Sequence, residues 1–505
     1  MNTSSNKPSI ALINPGELQR QLALLPEDDD SAALEEIAEW LDACRQGEVS
    51  GNARFQIARL LDGAAQPRIS ALTKEYLHTT RLPKPRENQL WTLIHGIWEK
   101  IARQYEICVK YGRRGEKGAD MVRAQLALAV TRVIVAWGQV IKWKGFRYSP
   151  VDKDCWARLG AAYLLAESEG FAEKTLQMHA EHGGITSPFA EYLRILIFHA
   201  SSLDCLPPQE IDLADRLIAH TQTEFVFSTE RTLQSVWWLD AATAMPPTRL
   251  TDAAQTPAPT LRFFHPGQAQ ARLKMLEQEI EYSNVIPARL RLETSAQGLL
   301  PVIQHLAACW TPAPPQRQHA RYRVKHQMVV LPGFINAFIV VSPEFGGKSL
   351  GLPQEEWIAD NVSQGGFGAI VKEIKGDWLG VGALLAMQPG GEGNWLLGLV
   401  RRYQRVSEQE AQVGIETLSR RVTGIDVGPR DSSLPPSTPA LWLQDDDPKG
   451  DMRFVLPLNT FAAGESLEFS YSGRRIALTP VRRLEQGNDY EIAAYRAAVI
   501  ATPKT

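Results

Sequence analysis

Along the first three-fifths of the chain, apolar positions recur at helical spacing. Leu90, Ile94, Ile97, Trp98, Ile101, Tyr105 and Cys108 fall at i, i+4, i+7, i+8, i+11, i+15 and i+18, one apolar stripe of a long helix. Pro83 and Pro85 stand before it, and Gly112 is expected to close it. A second helix is predicted over residues 120–143, and further ones over 156–169, 188–201 and 209–222. Helix pairs of this length without a fixed repeat period predict an antiparallel bundle. Trp91, Trp98, Trp137 and Trp143 take core-like positions in it. Residues 1–30 read as a flexible leader. They end in Asp28-Asp29-Asp30, an acidic flank suited to a helix N-terminus.

The texture changes between residues 224 and 266. Phe225-Val226-Phe227, Val236-Trp237-Trp238-Leu239 and Leu261-Arg262-Phe263-Phe264 are short strand-like runs divided by prolines. Helical pattern returns over residues 268–310. Thr311-Pro312-Ala313-Pro314-Pro315 then predicts a linker over residues 311–316, because proline cannot continue a helix. Beyond it the chain is almost wholly strand-like, with glycine and proline turns about every eight to twelve residues, the spacing of a small barrel or sandwich. A weak repeat lies inside this region. Gly382–Met387 followed by Leu399–Arg402 resembles Gly464–Phe469 followed by Pro480–Arg483. The expected fold is α+β and multidomain: a mainly helical domain over 31–310, a β-barrel over 317–424, and a second small β unit over 438–505.

Composition narrows the chemistry. A hydrophobic content of 44%, a charged content of 22% and a formal net charge of −3 leave no global basic footprint for nucleic acid or an anionic membrane. An anionic ligand would need a local cluster of cations. Cys44, Cys108, Cys155, Cys205 and Cys309 are odd in number and scattered, so reduced thiols in a cytoplasmic protein are expected. The stretch 122–143 carries Arg123, Gln125, Arg132, Gln139 and Lys142 and reads as too polar to span a bilayer. No signal peptide or membrane insertion is expected.

Two local clusters stand out. Arg317-Gln318-His319-Ala320-Arg321-Tyr322 follows the prolines, and Asn361-Val362-Ser363-Gln364-Gly365-Gly366 forms a polar turn between apolar runs. Arginine forks donate bidentately to phosphate or to guanine O6 and N7. Asn361 and Ser363 offer amide and hydroxyl groups to base edges, and the glycines admit close backbone approach. In order, the clusters resemble the RxxxR and [D/N]xSxxG halves of the PilZ domain signature. Trp378–Gly382, Leu397–Arg402 and Val413–Glu416 resemble that family's later strands. The resemblance covers residues 317–418 and implies a six-stranded antiparallel barrel that binds cyclic di-GMP in a bacterial cytoplasmic receptor. It implies ligand contacts from Arg317, Arg321, Asn361, Ser363 and Gly366, with Gln318, Tyr322, Gly365, Arg401 and Arg402 as further contacts. It implies no catalysis and no cofactor, and a protein partner engaged through the helical domain. The spacing from Arg321 to Asn361 exceeds the family's usual one, with the extra residues expected within 343–354. The alternative is a PilZ-like scaffold that binds no nucleotide.

Other motifs carry less. Gly346-Gly347-Lys348-Ser349 lacks the first glycine of a phosphate loop, since Ser342 stands there. His179 and His182 read as polar side chains at a helix C-terminus rather than a metal pair. Asp445–Asp451 lacks the bidentate glutamate of a calcium loop and reads as a charged hairpin turn.

Overall fold

The computed structural model describes residues 14–79, 82–179, 184–251, 256–313, 319–345, 351–390, 394–407, 409–430, 437–445 and 450–500. The chain divides into two compact units, Met1–Gln316 and Arg317–Thr505.

The first unit is built on helices α1 (Pro15–Leu22), α2 (Asp30–Gln46), α3 (Gly51–His78), α4 (Lys84–Arg114), α5 (Asp120–Ala124), α6 (Leu126–Phe146), α7 (Lys153–Ser168), α8 (Pro188–Ala200), α9 (Pro208–Thr221), α10 (Ala269–Ser283) and α11 (Ala296–Cys309). The seven-residue stripe of α4 is buried throughout, as its spacing requires. Asp29 caps α2 by accepting from the Ala32 N–H at 3.0 Å. Two expectations are corrected here. Residues 15–22 were expected in a flexible leader, yet they form α1, which buries Leu18 against the bundle. Gly112 does not end α4. It lies one turn inside, where a Cβ would meet Val122 Cγ1 at 3.1 Å, and Gly115 at φ 65° makes the left-handed cap.

α6 is long and apolar enough to cross a bilayer, contrary to the polar reading of this stretch. It is 67% buried inside the fold. Its charges explain why composition misleads in both directions. Arg132 donates to the buried Asp62, which also accepts from Tyr105 Oη at 2.9 Å. Lys142 donates to Asp212 at 2.7 Å and to Asp215 at 2.6 Å, while Arg194 grips Asp215 with two bonds of 2.8 Å. The two-stranded pair β1 (Leu176–Gln177) and β2 (Ile185–Thr186) precedes α8. A four-stranded sheet in the order β3-β6-β4-β5 joins β3 (Val226–Ser228), β4 (Trp237–Asp240), β5 (Thr248–Arg249) and β6 (Leu261–His265).

The second unit holds two closed six-stranded antiparallel barrels. The first comprises β7 (Tyr322–Pro332), β8 (Glu355–Ser363), β9 (Gly366–Val371), β10 (Leu384–Pro389), β11 (Leu396–Arg405) and β12 (Ala411–Ser419). The second comprises β13 (Val422–Pro429), β14 (Thr438–Leu443), β15 (Met452–Leu456), β16 (Leu467–Tyr471), β17 (Arg474–Gln486) and β18 (Glu491–Val499). Counted from its own first strand, each barrel runs 1-2-3-6-5-4 around the circle. The sequence repeat is thus two copies of one topology. Its second half is one residue out of register: Val400 pairs with Ile415 where Pro480 pairs with Tyr495, so Arg402 corresponds to Arg482 rather than Arg483. The second barrel also begins earlier than residue 438, because β13 pairs with β14 and β16.

Helix α12 (Gly333–Val341) lies between β7 and β8 and takes up much of the long Arg321-to-Asn361 spacing, upstream of the segment expected to do so. Its buried Phe334, Ala337 and Val340 join Leu331 and Leu397 of the first barrel and Leu441, Val455 and Ile492 of the second in one core. Asp489 of the second barrel accepts from the Phe334 N–H at 2.9 Å, capping the helix. Trp378–Gly382 is a loop rather than a strand. Gly376 and Gly382 hold positive φ, and Glu355 accepts from both Trp357 Nε1 and Trp378 Nε1, at 2.9 and 2.7 Å.

Candidate functional site

Three strand irregularities fall together on one face of the first barrel. Register shifts lie between Arg323 and His326 in β7, between Ala359 and Asn361 in β8, and between Val400 and Arg402 in β11. A bulge adds an unpaired residue, bends its strand and re-aims side chains. Here the extra residues include Asp360 and Arg401. Both line a cavity of about 540 Å³ opening on this face, a volume typical of small-molecule sites.

Several predicted residues meet in that cavity. Arg321, Asn361, Ser363, Gly365, Gly366, Arg401 and Arg402 all line it. The β8–β9 turn is tight: Ser363 pairs with Gly366, and Ser363 Oγ donates to Gly366 O at 3.3 Å. Arg420 fastens the turn from outside by donating to Gln364 O at 3.1 Å. Tyr322 is the exception. It is 68% exposed at the start of β7 and does not line the cavity. Arg317 and Gln318 lie outside the described residues.

The glycines decide the shape. A Cβ on Gly366 would stand 1.9 Å from Ile415 O, so only glycine lets β9 approach β12 there. A Cβ on Gly368 would stand 2.3 Å from Asn361 Nδ2 and 2.8 Å from its Cγ, so Gly368 makes the space that the Asn361 amide occupies. Gly368, Gly414, His319, Asp360 and Glu416 line the cavity without having been predicted. A signal for the first existed: Gly366-Phe367-Gly368 alternates glycines within a strand, a mark of close backbone approach.

Four side chains that can carry positive charge, His319, Arg321, Arg401 and Arg402, face the cavity against the carboxylates of Asp360 and Glu416. Arg401 has two carboxylate partners. Its Nε donates to Glu416 at 2.5 Å, and its two Nη atoms donate to Glu485 of the second barrel at 2.6 and 2.7 Å. Burial works against the Arg401 charge, but Glu485 and then Glu416 outweigh it and hold its pKa above the ordinary value. Such an arrangement can bind a compact, doubly hydrogen-bonding anion through guanidinium groups, an amide and a hydroxyl.

His179 was expected at a helix C-terminus but follows a two-residue strand, and His182 lies outside the described residues. Among the described residues no group of three or more His, Cys, Asp or Glu side chains is arranged for a metal. Residues 346–349 lie outside the described residues. Asp445 accepts from the Arg420 N–H at 3.1 Å.

In the second barrel the equivalent floor differs. Ala494 pairs with Arg453 and Arg482, as Gly414 pairs with Gly368 and Arg402 in the first. Arg453 thus stands where the first barrel keeps Gly368.

Residues 16–231 match the model of a family described as "Cyclic-di-GMP receptor FimW, N-terminal domain". The matched stretch lies within the first unit and runs from the second residue of α1 past the end of α9. No curated protein matches the chain.

Proposed function

We propose that this chain is a receptor for cyclic di-GMP, that the PilZ-like first barrel binds the dinucleotide at the cavity just described, and that the bound state is passed to a protein partner. The observation that carries the reading is the convergence of Arg321, Asn361, Ser363 and Arg402 in one cavity, from segments up to 81 residues apart in sequence. The matched family model, a receptor for that messenger, supports the same ligand. The ligand offers two phosphate charges and two guanine Hoogsteen edges, and guanidinium forks suit both. The helical unit is the candidate docking surface for the partner. A cytoplasmic location belongs to the same proposal, and the scattered free cysteines support it. No catalytic role is assigned to any residue.

Calorimetric titration of the full chain with cyclic di-GMP, using GTP as control, tests the reading. Saturable binding of the dinucleotide alone is expected, and heats no larger than those of GTP would end it. Gly368→Ala should weaken binding about three- to tenfold, the loss of one hydrogen bond as Asn361 is displaced. An unchanged affinity in a normally folded Gly368→Ala protein would remove Asn361 from the site.

A further inference from the structure

Glu485 belongs to the second barrel, yet its carboxylate occupies both Nη atoms of a cavity arginine of the first. The fork-to-fork pairing is the geometry a guanidinium offers to a phosphate or a guanine edge. With Glu416 on Nε, three of the five N–H groups of Arg401 are committed to carboxylates, and two carboxylates face one cation. The pair is open to exchange. The side chains of Arg401 and Glu485 are 41% and 30% exposed, and pairs at such accessibility are held weakly. Glu485 sits beyond a register shift of β17, next to the last residue of the strand.

We propose that Glu485 is a built-in competitor for the ligand: a phosphate of cyclic di-GMP reaches the Arg401 guanidinium by displacing the Glu485 carboxylate. The inference rests on the receptor reading of the cavity and adds its regulation. Displacement has a path into the second barrel. Tyr490 Oη lies 3.5 Å from Glu485 Oε1 and donates to Gly382 O at 3.0 Å, and the Gly382 N–H donates to Val400 O at 2.7 Å, the residue before Arg401. Tyr490 has one proton to give and it goes to Gly382, so the run Tyr490–Gly382–Val400 ties the β17–β18 hairpin to the cavity wall, with Glu485 in polar contact at its start. Linkage makes the effect reciprocal: whatever frees Glu485 from Arg401 favours the ligand, and the ligand favours the freed state by the same factor.

The test is calorimetric titration of the full chain with cyclic di-GMP, for wild type and Glu485→Gln, combined with hydrogen exchange over residues 480–495. Glu485→Gln should bind about three- to tenfold more tightly. Its unliganded exchange over 480–495 should resemble that of liganded wild type. In an Arg401→Gln background the gain should vanish. Equal or weaker binding by Glu485→Gln would overturn the proposal and make Glu485 a positioning residue for Arg401. A gain that persists without Arg401 would overturn it as well, leaving only a diffuse charge effect. Should Glu485→Gln fail to fold, Glu485→Asp, too short for the same fork, is expected to shift affinity in the same direction. Wild type and Glu485→Gln both failing to bind would instead defeat the receptor reading itself, an outcome distinct from binding without competition.

Discussion

Arg321→Ala is expected to lower the affinity for cyclic di-GMP by ten- to a hundredfold, about 1.5–3 kcal/mol. The magnitude follows from a charge-assisted contact to a dianion. Arg321 reaches the cavity from the segment just before β7, whereas Arg402 reaches it from β11, two strands away around the barrel. Losing one of two forks leaves less positive charge to offset a phosphate against the carboxylates of Asp360 and Glu416. Arg321→Lys should also weaken binding, because an ammonium keeps the charge but not the planar pair of donors. Calorimetry at fixed salt checks both. A normally folded Arg321→Ala protein with wild-type affinity would dismiss the assignment of this cavity.

The largest stability effect is expected from Asp215→Ala in the helical unit. Asp215 is buried between Lys142 and Arg194, whose side chains are 13% and 24% exposed. Removing the carboxylate strands two cations that are largely out of water, a change that costs roughly 3–5 kcal/mol. The lower end is expected, because Asp212 still accepts from Lys142. Loss of helical circular dichroism in urea should shift to lower denaturant accordingly. Burial opposes the Asp215 charge, but Arg194 and Lys142 outweigh it and hold the carboxyl below the ordinary carboxylate range. A depressed folded-state pKa contributes stability above the unfolded value of about 3.9, and that stability is lost as pH falls further. Between about pH 4 and pH 2 the wild type should therefore lose stability more steeply than Asp215→Ala. Parallel acid profiles would show that the two cations are held by something else.

What the sequence made legible follows from the range of the interactions. The stripe from Leu90 to Cys108 is a local pattern, and periodicity alone placed it in the core. The Asn361–Gly366 turn is equally local: its glycines and serine define a tight connection whatever surrounds it. Arg401 entered as a ligand contact through the resemblance of Leu397–Arg402 to a later strand of the family. Its fork partner, Glu485, is 84 residues away, and no spacing rule couples them. α12 was missed for a related reason. An apolar run after a proline and glycine fits a buried strand or a buried helix equally well, and what selects helix is the second barrel's core and the Asp489 cap. His319 stood inside the recognised motif yet was passed over, since the motif specifies only its two arginines.

The shared core around α12 also bears on how the chain is made. Phe334, Ala337 and Val340 emerge from the ribosome well before Leu441, Val455 and Ile492, which complete their cover. At roughly 5–20 residues per second, the roughly 150 residues from Val340 to Ile492 take on the order of ten seconds to synthesise. During that interval the newborn first barrel presents an uncovered apolar helix, and a stop within the second barrel would make the exposure permanent. Truncated products ending before β18 should therefore be chaperone clients and aggregate, even though every strand of the first barrel has been translated.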